Sequence, residues 1–320
     1  TEVISAKSAP QYSRKQVYDY IEKELLAIEP DLMEPKAKTS SDPNYGRVDK
    51  AAVWMLLSRL YLNAEVYTGT AQWQKAADYA KRVINSPYHL YTGATVNGWT
   101  AYQQLFMGDN GETSAAYEGV FRIAQDGVKT TSWAGTCFLM ASTFDGNMHA
   151  DVSGARPHAT NGTGQTWGGN RARKQLVEKF FPNDDAPNVS CTQMPAAAND
   201  DRAIFDGIGR TIDNGEGSMG HFTDGFAVAK WNNFKTDGSE GHNDTYPDTD
   251  FFLFRVAEAN LIYAEATARL NGGTTTADGT AAINALRSRA HAITKVGYTL
   301  KDICDEWSRE FYFEGLRRPT

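Results

Sequence analysis

The sequence is poor in cysteine and has no long apolar run. Only three cysteines occur in 320 residues, Cys137, Cys191 and Cys304, and none forms a CxxC pair. That spacing excludes a structural zinc site of the usual kind, and the odd count argues against a disulfide framework while leaving one bridge open. No stretch approaches the roughly 18 apolar residues that a membrane-spanning helix needs, and the opening residues (TEVISAKSAPQYSRK) lack the apolar core of a signal peptide. Basic runs are also missing. With a net charge of −7 and only one short cluster (Arg171, Arg173, Lys174), binding to nucleic acid is disfavoured and none is expected, since affinity for a polyanion rests on many cations releasing counterions.

Several catalytic signatures are absent as well. The sequence has no HExxH, and its six histidines are scattered. The glycine-rich NGTGQTWGGNR run at residues 161–171 has no GK[ST] and follows no predicted strand, so it does not read as a phosphate cradle. GEGSMG around Ser218 has Glu216 where a nucleophile elbow needs glycine. Acidic runs at residues 183–185, 199–201 and 243–250 offer oxygen ligands for a structural calcium ion but lack the fixed spacing of a calcium loop; solvated turns are the alternative. No other cofactor is indicated.

What the chain does have is helical periodicity at both ends. Val17, Ile21, Leu25 and Ile28 recur at three- and four-residue spacing, which predicts an amphipathic helix closed by Pro30. A second helix is predicted from Asp49, with Val53, Leu56, Leu57, Leu60, Tyr61 and Ala64 on one face and Gly69 ending it. A third begins by Trp73, buries Ala76, Ala77, Ala80, Val83 and Ile84, and stops at Pro87. Near the C-terminus the device repeats: Asp250 is placed to cap a helix bearing Val256, Ala259, Tyr263, Ala266 and Leu270, Gly272 and Gly273 break it, and a partner follows with Ala281, Ala282, Ala285 and Leu286. Each hairpin has an Ala-Glu pair in its first helix (Ala64-Glu65, Ala264-Glu265) and an Ala-Ala pair in its second, and small residues at such points let helices approach closely. The expected fold is mainly α, a scaffold of tetratricopeptide-like helical hairpins with a long loop-rich insertion. Its parts are residues 1–91, 92–249 and 250–320.

Between the hairpins Gly, Asn, Asp, Thr and Ser dominate, with a brief helical pattern at residues 171–181. A polar region of that length in an ordered domain usually carries function. Isolated aromatics stand in it: Trp99, Trp133, Phe144, Trp167 and Trp231. A sugar ring has an apolar C–H face and a hydroxyl rim, so a flat ring beside Asn, Asp, Thr or His is a suitable surface for it. Trp167, flanked by Gly-Thr and Gly-Gly, is the best candidate for exposure, whereas Trp231 beside Ala227, Val228 and Ala229 reads as core.

Three segments in order, GRVDKAAVWMLLSRLYLNAEVY, DFFLFRVAEANLIYAEATARL with AAINALRSRA, and CDEWSREFYFEGLRR, resemble the hallmark segments of the SusD/RagB family of outer-membrane nutrient-binding lipoproteins. The resemblance is carried by Arg255, Ala257-Glu258 and Tyr263-Ala264-Glu265-Ala266, then by Glu306, Arg309-Glu310, Phe313-Glu314-Gly315 and Arg317-Arg318, with lesser echoes in RKQLVEKF and DDRAIF. Leu316 departs from the family's usual His, and the family's N-terminal part, with its lipid-bearing Cys, has no counterpart in the sequence.

The resemblance implies a single non-catalytic domain, lipid-anchored at the cell surface by a segment outside this chain, that binds oligosaccharide, with starch-type glucan first, and passes it to a SusC-like TonB-dependent transporter. The expected glycan-binding residues are Trp167, Phe144 and Trp133, with Asn147, Asp151 and His158 supplying hydrogen bonds. Scaffold residues such as Tyr263 and Glu310 are expected to be structural. A glycoside hydrolase and a tetratricopeptide-like scaffold for a protein partner are the alternatives.

Overall fold

The computed structural model describes residues 10–146, 148, 161–212 and 220–316. In chain order the elements are α1 (Arg14–Ile28), α2 (Lys50–Leu62), α3 (Ala64–Thr68), α4 (Trp73–Ile84), α5 (Ala101–Gln104), β1 (Gly119–Ile123), α6 (Thr136–Thr143), α7 (Lys174–Val177), α8 (Met194–Ala198), β2 (Phe205–Asp206), β3 (Ala227–Val228), β4 (Phe251–Arg255), α9 (Val256–Leu270), α10 (Ala277–Arg289) and α11 (Leu300–Phe311). The protein is mainly helical.

Local chemistry sets the helix ends. Ser13 and Gln16 form a capping box on α1, and Thr299 and Asp302 form another on α11. Asp49 caps α2 by accepting from Ala51 N–H, Asn63 interrupts the helix, and Gly69 at φ +77° closes α3 in the left-handed conformation that glycine tolerates. The predicted cap at Asp250 is not formed. Residues 251–255 continue as strand, and α9 starts at Val256, because Phe251–Arg255 pairs antiparallel with β1 in the register Gly119↔Arg255 and Ile123↔Phe251. Asp250 instead accepts hydrogen bonds from Tyr45 Oη and Gln125 N. The helix predicted at residues 171–181 is only the single turn of α7.

The core is built on α4, which packs against both α2 and α9, so the two distant hairpins share one apolar interior. Ala76, Ala77 and Ala80 of α4 and Ala264 of α9 are fully covered. Where α9 meets α10, a Cβ on Gly279 would come within 2.9 Å of Thr267 Oγ1, so the close crossing of these helices requires a glycine. The stripe on α1 behaves differently: Val17, Ile21 and Ile28 remain exposed, and only Leu25 packs partly on the core.

A buried ionic network ties the insertion to this scaffold. Arg255 Nη1 donates to Glu118 at 2.9 Å and to Glu310 at 2.6 Å, and its Nε reaches Glu314 at 2.8 Å. Arg289 bonds the same Glu118 and Glu310, Arg202 spans Asp200, Glu306 and Glu310, and Lys230 donates to Glu314 at 2.6 Å. Burial alone would raise the Glu310 carboxyl, but the guanidinia of Arg289, Arg255 and Arg202 hold it well below the usual carboxylate range. Buried charges are tolerated only when paired and hydrogen-bonded in this way, so these residues define where the loops sit on the helices.

Candidate functional site: an aromatic shelf on the insertion

The loop that follows the NGTG run is laid along the C-terminal end of α6. Trp167 N–H donates to Ala141 O at 2.8 Å, Gly168 N–H to Phe144 O at 2.7 Å, and Asn170 N–H to Ser142 O at 2.9 Å. These are carbonyls that the end of a helix leaves without intrahelical partners, which is why the segment is held there. Gly168 has φ +63°, and a Cβ on it would lie 2.8 Å from the Phe222 ring. Phe222 is thereby brought against the same loop, with the Arg171 guanidinium 5.7 Å from its centroid.

Trp133 stands just before the N-terminus of α6 and meets Trp167 with centroids 5.8 Å apart and planes inclined at 34°. Tyr246 lies edge-on to Trp133 at 5.3 Å. The turn carrying Tyr246 is fixed by Asn243 Oδ1, which accepts from Thr245 N and Tyr246 N. Trp133 is 51% exposed, Trp167 42% and Phe222 55%, so the cluster presents open ring surface rather than a sealed core. Polar groups border it: Trp167 Nε1 donates to Gln165 Oε1 at 3.1 Å, and Asn170 Nδ2 to Ser142 Oγ at 2.9 Å. The two runs that carry Trp167 and Tyr246 also wall a recess of about 240 Å³ lined by Thr163, Glu240, Asn243 and Asp244 and joined by Gly164 N–H to Asp244 O.

The predicted residues fall into three groups. Trp133 and Trp167 come together as an exposed pair. Phe144 does not join them: it is 4% exposed, because its ring packs into a small apolar cluster with Met148, Ala227 and Ala229. Asn147, Asp151 and His158 lie outside the described residues. Trp231 is buried as its neighbours suggest, stacked on Phe251 at 5.5 Å and 12°. Trp99 sits in a tight turn bonded to Val96, half-buried. Phe222 and Tyr246 were not singled out from the sequence, although HFTDG and DTYPDT carry the same signal, an aromatic in a polar loop, as TTSWAG does.

Three carboxylates, Asp145, Asp126 and Asp250, are engaged. Asp145 is buried and receives both bonds of Arg210 Nη2, at 3.0 and 2.9 Å. A hydrogen bond from the Lys129 ammonium, with two backbone N–H groups, holds Asp126 down at about 2. Burial pushes Asp250 up to about 6, but it is enclosed between Tyr45 and Gln125. A general acid for glycoside cleavage needs a raised pKa and access to the glycosidic oxygen, and none of these three combines them.

Of the acidic runs considered for calcium, Asp200 and Asp201 are taken up by Arg202 and His291, and Asp184 by Lys174. The third run supplies Asp248, whose carboxylate oxygen lies within 4.8 Å of ligand atoms on Asp126 and His242. Asp248 also accepts from Gly127 N at 2.7 Å and from His242 N at 2.8 Å. Two carboxylates and an imidazole fall short of the six to eight oxygens calcium takes, so carbonyls or water would have to complete the shell.

Comparison with known proteins agrees with this architecture. Residues 210–318 match the model of the SusD family. Over 95% of its length the chain is 39% identical to the starch-binding protein SusD of Bacteroides thetaiotaomicron, and it spans 56% of that relative's length. Its fold is similar to that of surface glycan-binding protein A from Bacteroides uniformis, with a TM-score of 0.64, 22% identity and coverage of 99% of this chain and 59% of that one. It is similar also to a SusD-like protein from Bacteroides fragilis, with a TM-score of 0.63, 19% identity and coverage of 99% and 62%. The buried Arg255–Glu310–Glu314 network occupies the very motifs on which the sequence resemblance rested, within the segment that matches the SusD family model.

Proposed function

We propose that this protein binds oligosaccharide without cleaving it, through the shelf formed by Trp133 and Trp167 with Phe222 and Tyr246 beside them. The single observation that carries the reading is the exposed, mutually inclined indole pair. Two planes inclined at 34° cannot both lie flat on one straight ribbon; they suit a chain that bends, as an α-linked glucan does. The rings supply apolar area, and Gln165 and Asn170 supply polar partners at its edge. The relative at 39% identity is named for binding starch, and a solved SusD-like structure of similar fold, with a TM-score of 0.58, is described as laminarin-binding. Both support a glycan ligand, with starch-type glucan first.

The same kinship supports a place at the outer-membrane surface through a lipid anchor outside these residues, and delivery of the captured glycan to a SusC-like TonB-dependent transporter. The deciding experiment is calorimetric titration with a panel of soluble glucans, including malto-oligosaccharides and laminari-oligosaccharides, alongside product analysis. Saturable binding with no new reducing ends is expected. Release of shorter sugars would turn the reading to a hydrolase, and failure of every glycan to bind would remove it.

A further inference from the structure

A second recess lies on the helical scaffold and shares no residue with the shelf. This groove of about 660 Å³ is floored by the start of α9 and walled by the end of α10 on one side and by the segment after α4 on the other. Leu90, Ala101 and Val256 give it an apolar bed. Its unused polar atoms are mostly acceptors. Asn260 is 4% exposed, and its Nδ2 donates at 3.0 Å to Val256 O, an atom that can only accept, so the amide orientation is fixed and Oδ1 faces away from that carbonyl. Among the described residues that oxygen has no donor, and unlike Arg289 Nε, which is enclosed by protein, it remains open to the groove. His89 Nδ1 stands 3.1 Å from Pro87 O, and His291 Nδ1 stands 2.7 Å from Asp201 Oδ2. Both partners accept, so in the neutral rings Nδ1 carries the proton and Nε2 is left as an acceptor. The His89 ring is held edge-on to Tyr117 at 5.7 Å. Among the described residues no carboxylate lines the groove, and the one guanidinium that does, Arg289, is already answered by Glu118 and Glu310.

We propose that this groove is a second glycan site, which takes a short run of neutral pyranose rings. The chemistry discriminates among ligand classes. An ammonium ligand finds no carboxylate there, and an anion finds no guanidinium that is not already paired. A peptide strand presents donors and acceptors in equal number and would set its carbonyls against Asn260 Oδ1 and the two imidazole acceptors. A sugar ring instead carries several hydroxyls able to donate to them, while the Ser288 and Thr92 hydroxyls exchange hydrogen bonds in either sense. Its C–H face suits the bed of Leu90 and Val256. No indole lines the groove, so binding there is weak, in the millimolar range, and adds avidity only for a polymer long enough to reach both sites. Only the choice of sugar rests on the reading of the shelf.

The test uses the chain with Trp133→Ala and Trp167→Ala, which removes the shelf, and follows the imidazole Hε1 resonances by NMR while maltotriose is added. Saturable shifts of His89 and His291 are expected, with His221 and His242 of the insertion unmoved. Adding Ser288→Trp, at an exposed helix position that tolerates the larger side chain, fills the groove and abolishes the shifts. Asn260→Ala, which deletes the open acceptor, weakens binding about fivefold. Ser288→Trp alone, with both indoles intact, still binds maltotriose at the shelf, so the two sites are read independently. Loss of all binding by that variant would remove the shelf reading and leave the groove as the site. No shift up to about 50 mM sugar, shifts confined to His221 and His242, or shifts that persist with Ser288→Trp overturn the groove site.

Discussion

Trp133 and Trp167 face each other at 5.8 Å although α6 lies between them in the chain. The contact exists because the loop carrying Trp167 satisfies the last carbonyls of α6 while Trp133 stands before its first turn. If the pair is the binding surface, Trp167→Ala and Trp133→Ala each lower glucan affinity about tenfold or more, ~1.4 kcal/mol, without shifting the unfolding midpoint of the scaffold. Calorimetry with malto-oligosaccharides, set beside thermal unfolding of each variant, checks this. Binding that survives both changes would move the site elsewhere.

Gly168 is the hinge of that surface. Alanine there must hold φ +63° and push against the Phe222 ring, at a cost of about 1–3 kcal/mol. Gly168→Ala is expected both to lower stability and to weaken glucan binding, whereas Gly169→Ala, with open space around its Cβ, strains the backbone without displacing Phe222. Measuring both variants separates the loss of ring position from simple backbone strain.

The Arg255 guanidinium is the node of the buried network. Arg255→Met leaves Glu118, Glu310 and Glu314 short of a cation in a dry interior and should destabilise the protein by about 3–5 kcal/mol. Urea unfolding gives the value. Paired replacement of Arg255 and Glu314 by apolar residues should cost less than the sum of the single changes, since each partner's burial cost disappears with the other.

Asp250 sets a pH dependence of defined sign. Its folded pKa of about 6 stands above its ordinary value of 3.8, chiefly through burial, so between those values the folded state keeps a proton that the unfolded chain gives up. Stability from this group therefore falls as pH rises from about 4 to 6, by up to ~3 kcal/mol, and is level above. Asp250→Asn, which is never charged, should gain on the wild type across that window and hold its advantage beyond it. Chemical denaturation at pH 4, 5, 6 and 7 reads the difference; a gap that does not change with pH would show that Asp250 titrates alike in both states.

The helical frame was legible because its signals are local. The spacing of Ala76, Ala77 and Ala80, the cap at Asp49 and the stop at Gly69 each act within a turn or two of the chain. Asp250 shows the limit of that reading. It has the chemistry of a helix cap, but strand pairing between β1 and β4, across more than a hundred residues, turned the following segment into sheet. Phe144 shows the same limit from the other side, since it looks like Trp133 in its polar surroundings and is nonetheless buried against Met148 and Ala227.

By itself, then, the sequence determined the paired helices, the family motifs and the richness of the insertion in aromatics. Periodicity and short motifs express forces that act along a helix or within one turn. Only the tertiary structure decided which rings share an open surface, that Phe222 and Tyr246 join Trp133 and Trp167 there, and that Arg255 and Glu310 meet inside the core. Those outcomes depend on how loops distant in sequence satisfy each other's backbone groups and bury each other's side chains, and no local pattern encodes them.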